Sequence, residues 1–250
     1  MAPLLQVQGV AKAFGGVQAL AGVDLAIAAG ALCCIIGPNG CGKTTLFNVI
    51  SGAFAPDAGR VRFQGVDITG LRPHEISRRG IARKFQVPGI YPNLTVSENL
   101  EVPAAAAAAR GGPLGLLRQP ARGAAPDRLL ERFGLDELMS RPAGALAHGQ
   151  KQWLEIAMLL AGAVRLMLLD EPTAGMTVAE TAASADLLRE VQQRSGVAVL
   201  VIEHDMSFVE RLGCPVVVMM RGAVVRTGSY AEIRQDPAVR EAYLGAAAPC

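Results

Sequence analysis

The sequence predicts an α/β fold, and three observations predict it. An apolar run, Ala31–Ile36, reads as a buried strand and leads through a glycine-rich loop into the helical pattern Thr45–Ile50. Two further apolar runs, Leu166–Leu169 and Val197–Ile202, end in the acidic clusters Asp170-Glu171 and Glu203-His204-Asp205. Open α/β sheets place their chemistry at such carboxyl ends of strands. Between these two runs lies a helical stretch from Val178 to about Arg194.

In chain order, Leu4–Val10 alternates as a strand, and Val23–Ile27 alternates likewise after a turn at Gly15-Gly16. Phe14 lies between them, where an exposed aromatic stacks on a base or simply plugs a turn. The loop that follows the first buried strand is Gly37-Pro38-Asn39-Gly40-Cys41-Gly42-Lys43-Thr44, a Gly-x-x-x-x-Gly-Lys-Thr octet between strand and helix. Glycines there turn successive N–H groups around an anion, and the helix starting near Gly42 adds its positive end. Lys43 supplies a point charge for outer phosphates, and the Thr44 hydroxyl a ligand for Mg²⁺. Cys41 fills a variable slot, since no neighbouring Cys or His activates it.

Arg60–Phe63 resumes strand alternation up to a turn at Gln64-Gly65, and Pro73–Arg79 reads as a short helix that Gly80 closes. His74 falls in its solvated first turn. Ile81–Phe85 reads as a strand with Gln86 at its end, and Arg78, Arg79, Arg83 and Lys84 read as a solvated basic face or a docking patch for an acidic loop. Thr95 and Glu98 form a capping-box pattern. Residues 103–126 are an Ala/Gly/Pro-rich insert, helical at its start and too poor in large apolar side chains to build a core. Short helices are expected at Asp127–Phe133 and Leu135–Met139. After Leu146-Ala147-His148-Gly149-Gln150 a helix puts Trp153, Ile156, Ala157 and Leu160 on one face, and its N-terminus is a second anion site.

The acids that end the second buried run have two readings. Asp170 holds Mg²⁺ through water and Glu171 polarises an attacking water, or the pair caps the chain before Pro172. His204 donates to a phosphate oxygen or caps the end of its strand. Val216–Met220 and Val224–Thr227 make a strand pair, and Tyr230–Arg234 and Pro237–Leu244 closing helices.

Composition bounds the function classes. The chain has 250 residues, 51% hydrophobic and 18% charged, which is globular and not disordered. A net charge of +2 is too small for a nucleic-acid coat, so no nucleic-acid partner is expected. The first residues lead straight into a strand pattern without the basic and apolar regions of a signal peptide. Five cysteines without a Cys-x-x-Cys suit a reducing cytoplasm, with adjacent Cys33 and Cys34 on opposite faces of a strand.

Taken together, these elements resemble the ATP-binding subunit of ABC transporters. Gly37–Thr44 resembles Walker A, Gln86 the Q-loop, Leu146–Gln150 the signature, Leu166–Glu171 Walker B and His204 the switch histidine. The resemblance implies one P-loop NTPase domain over 1–250. It comprises a nucleotide-binding core at 1–86 and 163–250, an antiparallel β subdomain and an inserted α-helical subdomain at 87–162. It also implies that Phe14, the loop from Gly37 to Thr44 and Thr45 contact ATP, with Ala147, His148, Gly149 and Gln150 capping the nucleotide of an opposing chain. Thr44, Gln86 and Asp170 would hold Mg²⁺; Glu171, His204 and Gln86 would serve catalysis.

Within the family, Arg83–Gln86, Leu94–Leu100, Gln150–Ile156 and the ending Asp236–Gly245 are similar to branched-chain amino acid and urea importers. Gly175-Met176-Thr177 and Trp153-Leu154-Glu155 are similar to the urea-type subunit. The implied partners are a second ATPase subunit, identical or paralogous, two integral-membrane permease subunits and, indirectly, a periplasmic solute-binding protein. The implied place is the cytoplasmic face of the inner membrane. An ATPase of a lipid or lipopolysaccharide exporter and a soluble non-transport ABC ATPase are the alternatives. Two positions depart from the family pattern: Ala147 stands where a serine hydroxyl is usual, and Thr177 where many relatives carry an aspartate.

Overall fold

The structure is a computed structural model that describes residues 2–84, 89–109, 130–131, 134–162, 164–237 and 239–240. Strands β1 (Leu5–Phe14) and β2 (Val17–Ile27) form a hairpin across Gly15-Gly16, whose φ angles of 52° and 85° suit a two-residue turn that needs both central residues left-handed. Both strands run longer than their alternation predicts. Register shifts at Val7/Val10, Val10/Ala11 and Lys12/Ala13 insert bulges, and each bulge breaks the period of two. β4 (Ala58–Phe63) pairs antiparallel with β1, and β5 (Val66–Asp67) with β4, giving the order β2-β1-β4-β5.

The second sheet has the order β10-β9-β3-β8-β7-β6. It contains β3 (Leu32–Ile36), β6 (Ile81–Lys84), β7 (Leu166–Asp170), β8 (Ala198–Ile202), β9 (Val216–Met220) and β10 (Ala223–Gly228). All neighbours are parallel except the β9–β10 hairpin. Helices are α1 (Lys43–Ile50), α2 (Pro73–Arg78), α3 (Val96–Ala109), α4 (His148–Ala161), α5 (Val178–Ser195), α6 (Met206–Leu212) and α7 (Tyr230–Gln235).

The parallel sheet is buried on both faces, which is why its strands read as unbroken apolar runs. Cys33, Ile35, Leu166, Leu168, Leu200 and Ile202 pack with Leu46, Phe47 and Ile50 of α1 and with Val7, Val61 and Phe63 of the antiparallel sheet. Cys34, Ile36, Met167, Leu169, Val199 and Val201 pack on the opposite side with Trp153, Ile156 and Ala157 of α4, Leu187 and Leu188 of α5 and Phe208 of α6. The adjacent thiols of Cys33 and Cys34 thus enter different cores, as a strand requires.

The capping box forms ahead of α3: Glu98 N–H donates to Thr95 Oγ1 at 3.2 Å, and Thr95 N–H to Glu98 Oε2 at 2.7 Å. That helix carries Pro103 in its interior and continues to Ala109. The insert from 110 to 126 lies outside the described residues. Of the two short helices expected next, Leu130 and Glu131 are helical and Asp136–Leu138 is a single 3₁₀ turn. The rest of 127–133 and most of the closing helix 237–244 lie outside the described residues. Among the described residues no helix is long and apolar enough to cross a membrane.

Candidate functional site

The order of the parallel sheet brings β3, β8 and β7 side by side, so the segments that leave their carboxyl ends meet. The loop after β3 is pressed between two backbones. A Cβ on Gly37 would lie 2.2 Å from Met219 O, and one on Gly42 2.3 Å from Ala19 O. Gly42 also holds φ 105° as the N-cap of α1, with no side-chain cap and no acid in the first turn. The first N–H groups of α1 therefore have no side-chain acceptor, the arrangement an anion uses. Lys43 Nζ donates to Gly37 O at 2.6 Å and Pro38 O at 3.1 Å, lying along the loop. Thr44 is exposed beside it, and Cys41 is buried, with its thiol pKa pushed up by that burial. A neutral packing thiol agrees with its reading as a variable slot.

At the end of β7, Asp170 is only 1% exposed. Its Oδ2 accepts from Arg83 Nη2 at 3.1 Å, while its Oδ1 has no partner. Burial raises its pKa; the Arg83 guanidinium opposes that rise, and Glu171 adds to it. Glu171 takes φ 48°, a left-handed conformation uncommon outside glycine. Its N–H donates to Ile202 O at 3.0 Å, which fixes the turn against β8. His204 Nδ1 lies 3.6 Å from Glu171 Oε1, and its side chain is largely exposed. A carboxylate and an imidazole so placed can share a water or a proton.

Behind this pair stands Glu203, named in the sequence only as part of an acidic cluster and given no role of its own. It is buried, accepts from Thr173 N–H at 3.1 Å and Thr173 Oγ1 at 2.7 Å, and takes His204 N–H at 3.1 Å on its other oxygen. It ties the loop after β7 to the end of β8. Asp205 caps α6 by accepting from Ser207 N–H at 2.8 Å and Phe208 N–H at 3.3 Å.

Ala147 is the N-cap of α4 and offers the helix no acceptor; the Gln150 side chain takes Ala147 N–H at 3.0 Å. His148 turns toward its own chain, with Nε2 2.9 Å from Gln152 Nε2 and 3.3 Å from Ala174 O. Gln152 Nε2 donates to that same carbonyl at 3.0 Å. A Cβ on Gly149 would lie 2.9 Å from Glu180 Oε1. Thr177 caps α5 in a box with Glu180: Glu180 N–H donates to Thr177 Oγ1 at 3.3 Å and Thr177 N–H to Glu180 Oε2 at 2.8 Å. The threonine at this departure performs the capping that an aspartate would also perform.

Phe14 sits at the end of β1, 41% exposed, with its ring 5.2 Å from that of Phe54 at 67°. Lys12 Nζ lies 5.5 Å from the Phe14 ring centre. The plug reading fits this exposure poorly, and Phe54 extends the aromatic surface. Gln86 lies outside the described residues.

The basic face expected of Arg78, Arg79, Arg83 and Lys84 forms only in part. Arg78 and Arg79 are exposed, but Arg83 and Lys84 are not a solvated face. Their side chains are 6% and 1% exposed, paired with Asp170 and Glu155. β6 lies at the edge of the sheet yet is covered by helices, so its charges must find acids inside.

Comparison with known proteins agrees with this geometry. Residues 20–174 match the family described as ABC transporter, and residues 227–249 the family described as branched-chain amino acid ATP-binding cassette transporter. The chain is 38% identical to the high-affinity branched-chain amino acid transport ATP-binding protein BraF of Pseudomonas aeruginosa, covering 98% of this chain and 99% of BraF. It is 36% identical to LivG, of the same description, from Escherichia coli K12, with the same coverage. Its structure is similar to the ADP conformation of MJ1267, an ATP-binding cassette of an ABC transporter, with TM-score 0.81 and 32% identity over 98% of this chain and 100% of that one.

Proposed function

The chain belongs to the ABC transporter family as an ATP-binding subunit, and from that premise we propose that it hydrolyses ATP to drive import of branched-chain amino acids. The observation that carries the hydrolysis is the convergence of Lys43, Asp170, Glu171 and His204 at the carboxyl ends of three neighbouring strands. The names of BraF and LivG and the match at 227–249 support the solute.

ATP binds with its phosphates in the Gly37–Thr45 loop and its base against Phe14. Lys43 leaves the loop carbonyls for the outer phosphates. Asp170 Oδ1, buried without a partner, fits a water carried by Mg²⁺, and the exposed Thr44 hydroxyl fits a direct ligand; Gln86 is assigned as a third. Bound there, the cation neutralises charge on the phosphates. Glu171 orients the water for in-line attack, and His204 senses the γ-phosphate. The Ala147–Gln150 turn closes on the ATP of a second ATPase subunit, head to tail. A groove lined by about Gln86–Asn99 engages two permease subunits at the cytoplasmic side of the inner membrane.

Disruption of the gene and of its Glu171 codon (Glu171→Gln) tests the reading by uptake of labelled leucine and urea. Loss of leucine uptake alone supports it. Loss of urea uptake alone establishes the second reading, urea or short amides, which the Gly175-Met176-Thr177 and Trp153-Leu154-Glu155 runs favour. Loss of neither, in cells that express the protein, rejects both.

A further inference from the structure

Consecutive residues of a strand point to opposite faces, and the last two of β6 are both cations. Arg83 points to the α1 side. Its Nη1 donates to Asn48 Oδ1 at 2.6 Å and Ser51 Oγ at 3.2 Å, its Nη2 to Asp170 Oδ2 at 3.1 Å, and its guanidinium lies 5.7 Å from the Phe47 ring centre. Lys84 points to the α4 side, where its Nζ lies 3.7 Å from Glu155 Oε2. Glu155 Oε1 accepts Gly89 N–H at 2.9 Å. Lys84, Glu155 and Asp170 are 1%, 4% and 1% exposed.

Buried ion pairs gain little stability over apolar side chains of similar volume, so two of them back to back call for a role other than packing. We propose that Arg83 and Lys84 are positioning residues that act as one strut. Arg83 fixes Asp170 to Asn48 of α1 and to Ser51, the residue that caps its C-terminus. Lys84 fixes Glu155, one turn and a half beyond the Ala147–Gln150 segment at the start of α4. Because the two side chains leave adjacent residues of one strand, α4 cannot shift against Asp170 without loosening a buried charged contact. The strut therefore links the state of the phosphate site to the placing of the signature turn. This inference rests on the ATPase reading above.

The test uses the full chain and three readouts: equilibrium ATP binding, steady-state hydrolysis, and hydrogen exchange of residues 148–161 with and without ATP. The variant Lys84→Met/Glu155→Met removes both charges and leaves neither alone in the core. It is expected to bind ATP within about threefold of the parent, to lose at least about tenfold in kcat, and to lose the ATP-dependent change in α4 exchange. Lys84→Arg keeps the pair and is expected to restore most of both. If the double variant does not fold, Arg83→Lys carries the test: it keeps the charge but not the fork that spans Asn48 and Asp170, and the same kcat loss with retained binding is expected. Parental kcat and a parental exchange response overturn the proposal, as does an equal loss of binding and turnover, which marks a merely structural pair. A parent chain that neither binds nor hydrolyses ATP overturns the ATPase reading, and the strut with it; an active parent with silent variants overturns the strut alone.

Discussion

Asp170 and Glu171 are neighbours in sequence with opposite surroundings, and their environments divide the work. Asp170 is sealed and leans on Arg83, whereas Glu171 turns out of the strand at φ 48° toward His204. Glu171→Gln keeps that shape and removes the charge proposed to orient a water. Its kcat is expected to fall by about 10²–10⁴ while ATP stays bound, measured as phosphate release and as nucleotide retained through gel filtration. Turnover at the parent's rate would remove Glu171 from its role. Titration acts in both directions among the carboxylates. Burial raises the pKa of Asp170 and Glu155, so their contribution to stability is present below the ordinary values of 3.8 and 4.5 and is lost as pH rises through the raised ones. Asp205 is the reverse case. Its hydrogen bonds to Ser207, and to Phe208 N–H, hold its pKa below 3.8, so its contribution is present above 3.8 and lost as pH falls through the lowered value. Asp205→Ala is expected to cost about 1 kcal/mol in urea unfolding at neutral pH, and the gap to the parent is expected to close in acid below that range.

The elements differ in how far the sequence disclosed them. The unit β3–loop–α1 and the strands β7 and β8 were legible because burial on both faces leaves continuous apolar runs and the loop demands fixed glycines. β1 and β2 were legible only in part, since bulges interrupt their alternation. Arg83 and Lys84 were misread because charge in a short strand resembles a solvated face; the acid that pairs with Arg83 lies 87 residues further on. The tethering role of Glu203 was hidden for the same reason, its partner Thr173 lying 30 residues back. At the loop, Gly42→Ala must hold φ 105° and place a Cβ 2.3 Å from Ala19 O. The backbone strain alone is on the order of 1–3 kcal/mol, so a lower Tm and loss of ATP binding are expected together by calorimetry and equilibrium titration. At α4, Ala147 is an empty cap, and Ala147→Ser supplies the missing acceptor. A gain of about 0.5–2 kcal/mol is expected for that helix, seen as a higher Tm, with faster hydrolysis if the hydroxyl also reaches an opposing phosphate. A higher Tm at unchanged kcat would confine Ala147 to capping.

At the scale of the molecule, what the sequence could not show is the strand order. Nothing local says that β3 lies between β8 and β9, or that β7 separates β8 from β6; those neighbours are fixed by long-range pairing of similar apolar runs. The order gathers Lys43, Glu171 and His204 at the carboxyl ends of three neighbouring strands, while Ala147–Gln150 sits at the start of α4, whose first turn contacts Ala174 and Glu180 of its own chain. In the proposed head-to-tail pair each ATP is completed by the other chain's turn, an arrangement that complementation can test. Lys43→Met removes the cation proposed to hold the phosphates, and Gly149→Asp forces a carboxylate against Glu180 in the turn proposed to close on the opposing ATP. Each alone is expected to be inactive. Mixed, the two form pairs of unlike variants in which one site joins the intact loop of the second variant to the intact turn of the first. Recovered hydrolysis that rises with mixing ratio and peaks near equal amounts is the expected outcome. If the turn serves the ATP of its own chain, every site in the mixture carries a defect and no activity returns, which would overturn the trans arrangement while leaving ATP binding by each chain's loop intact.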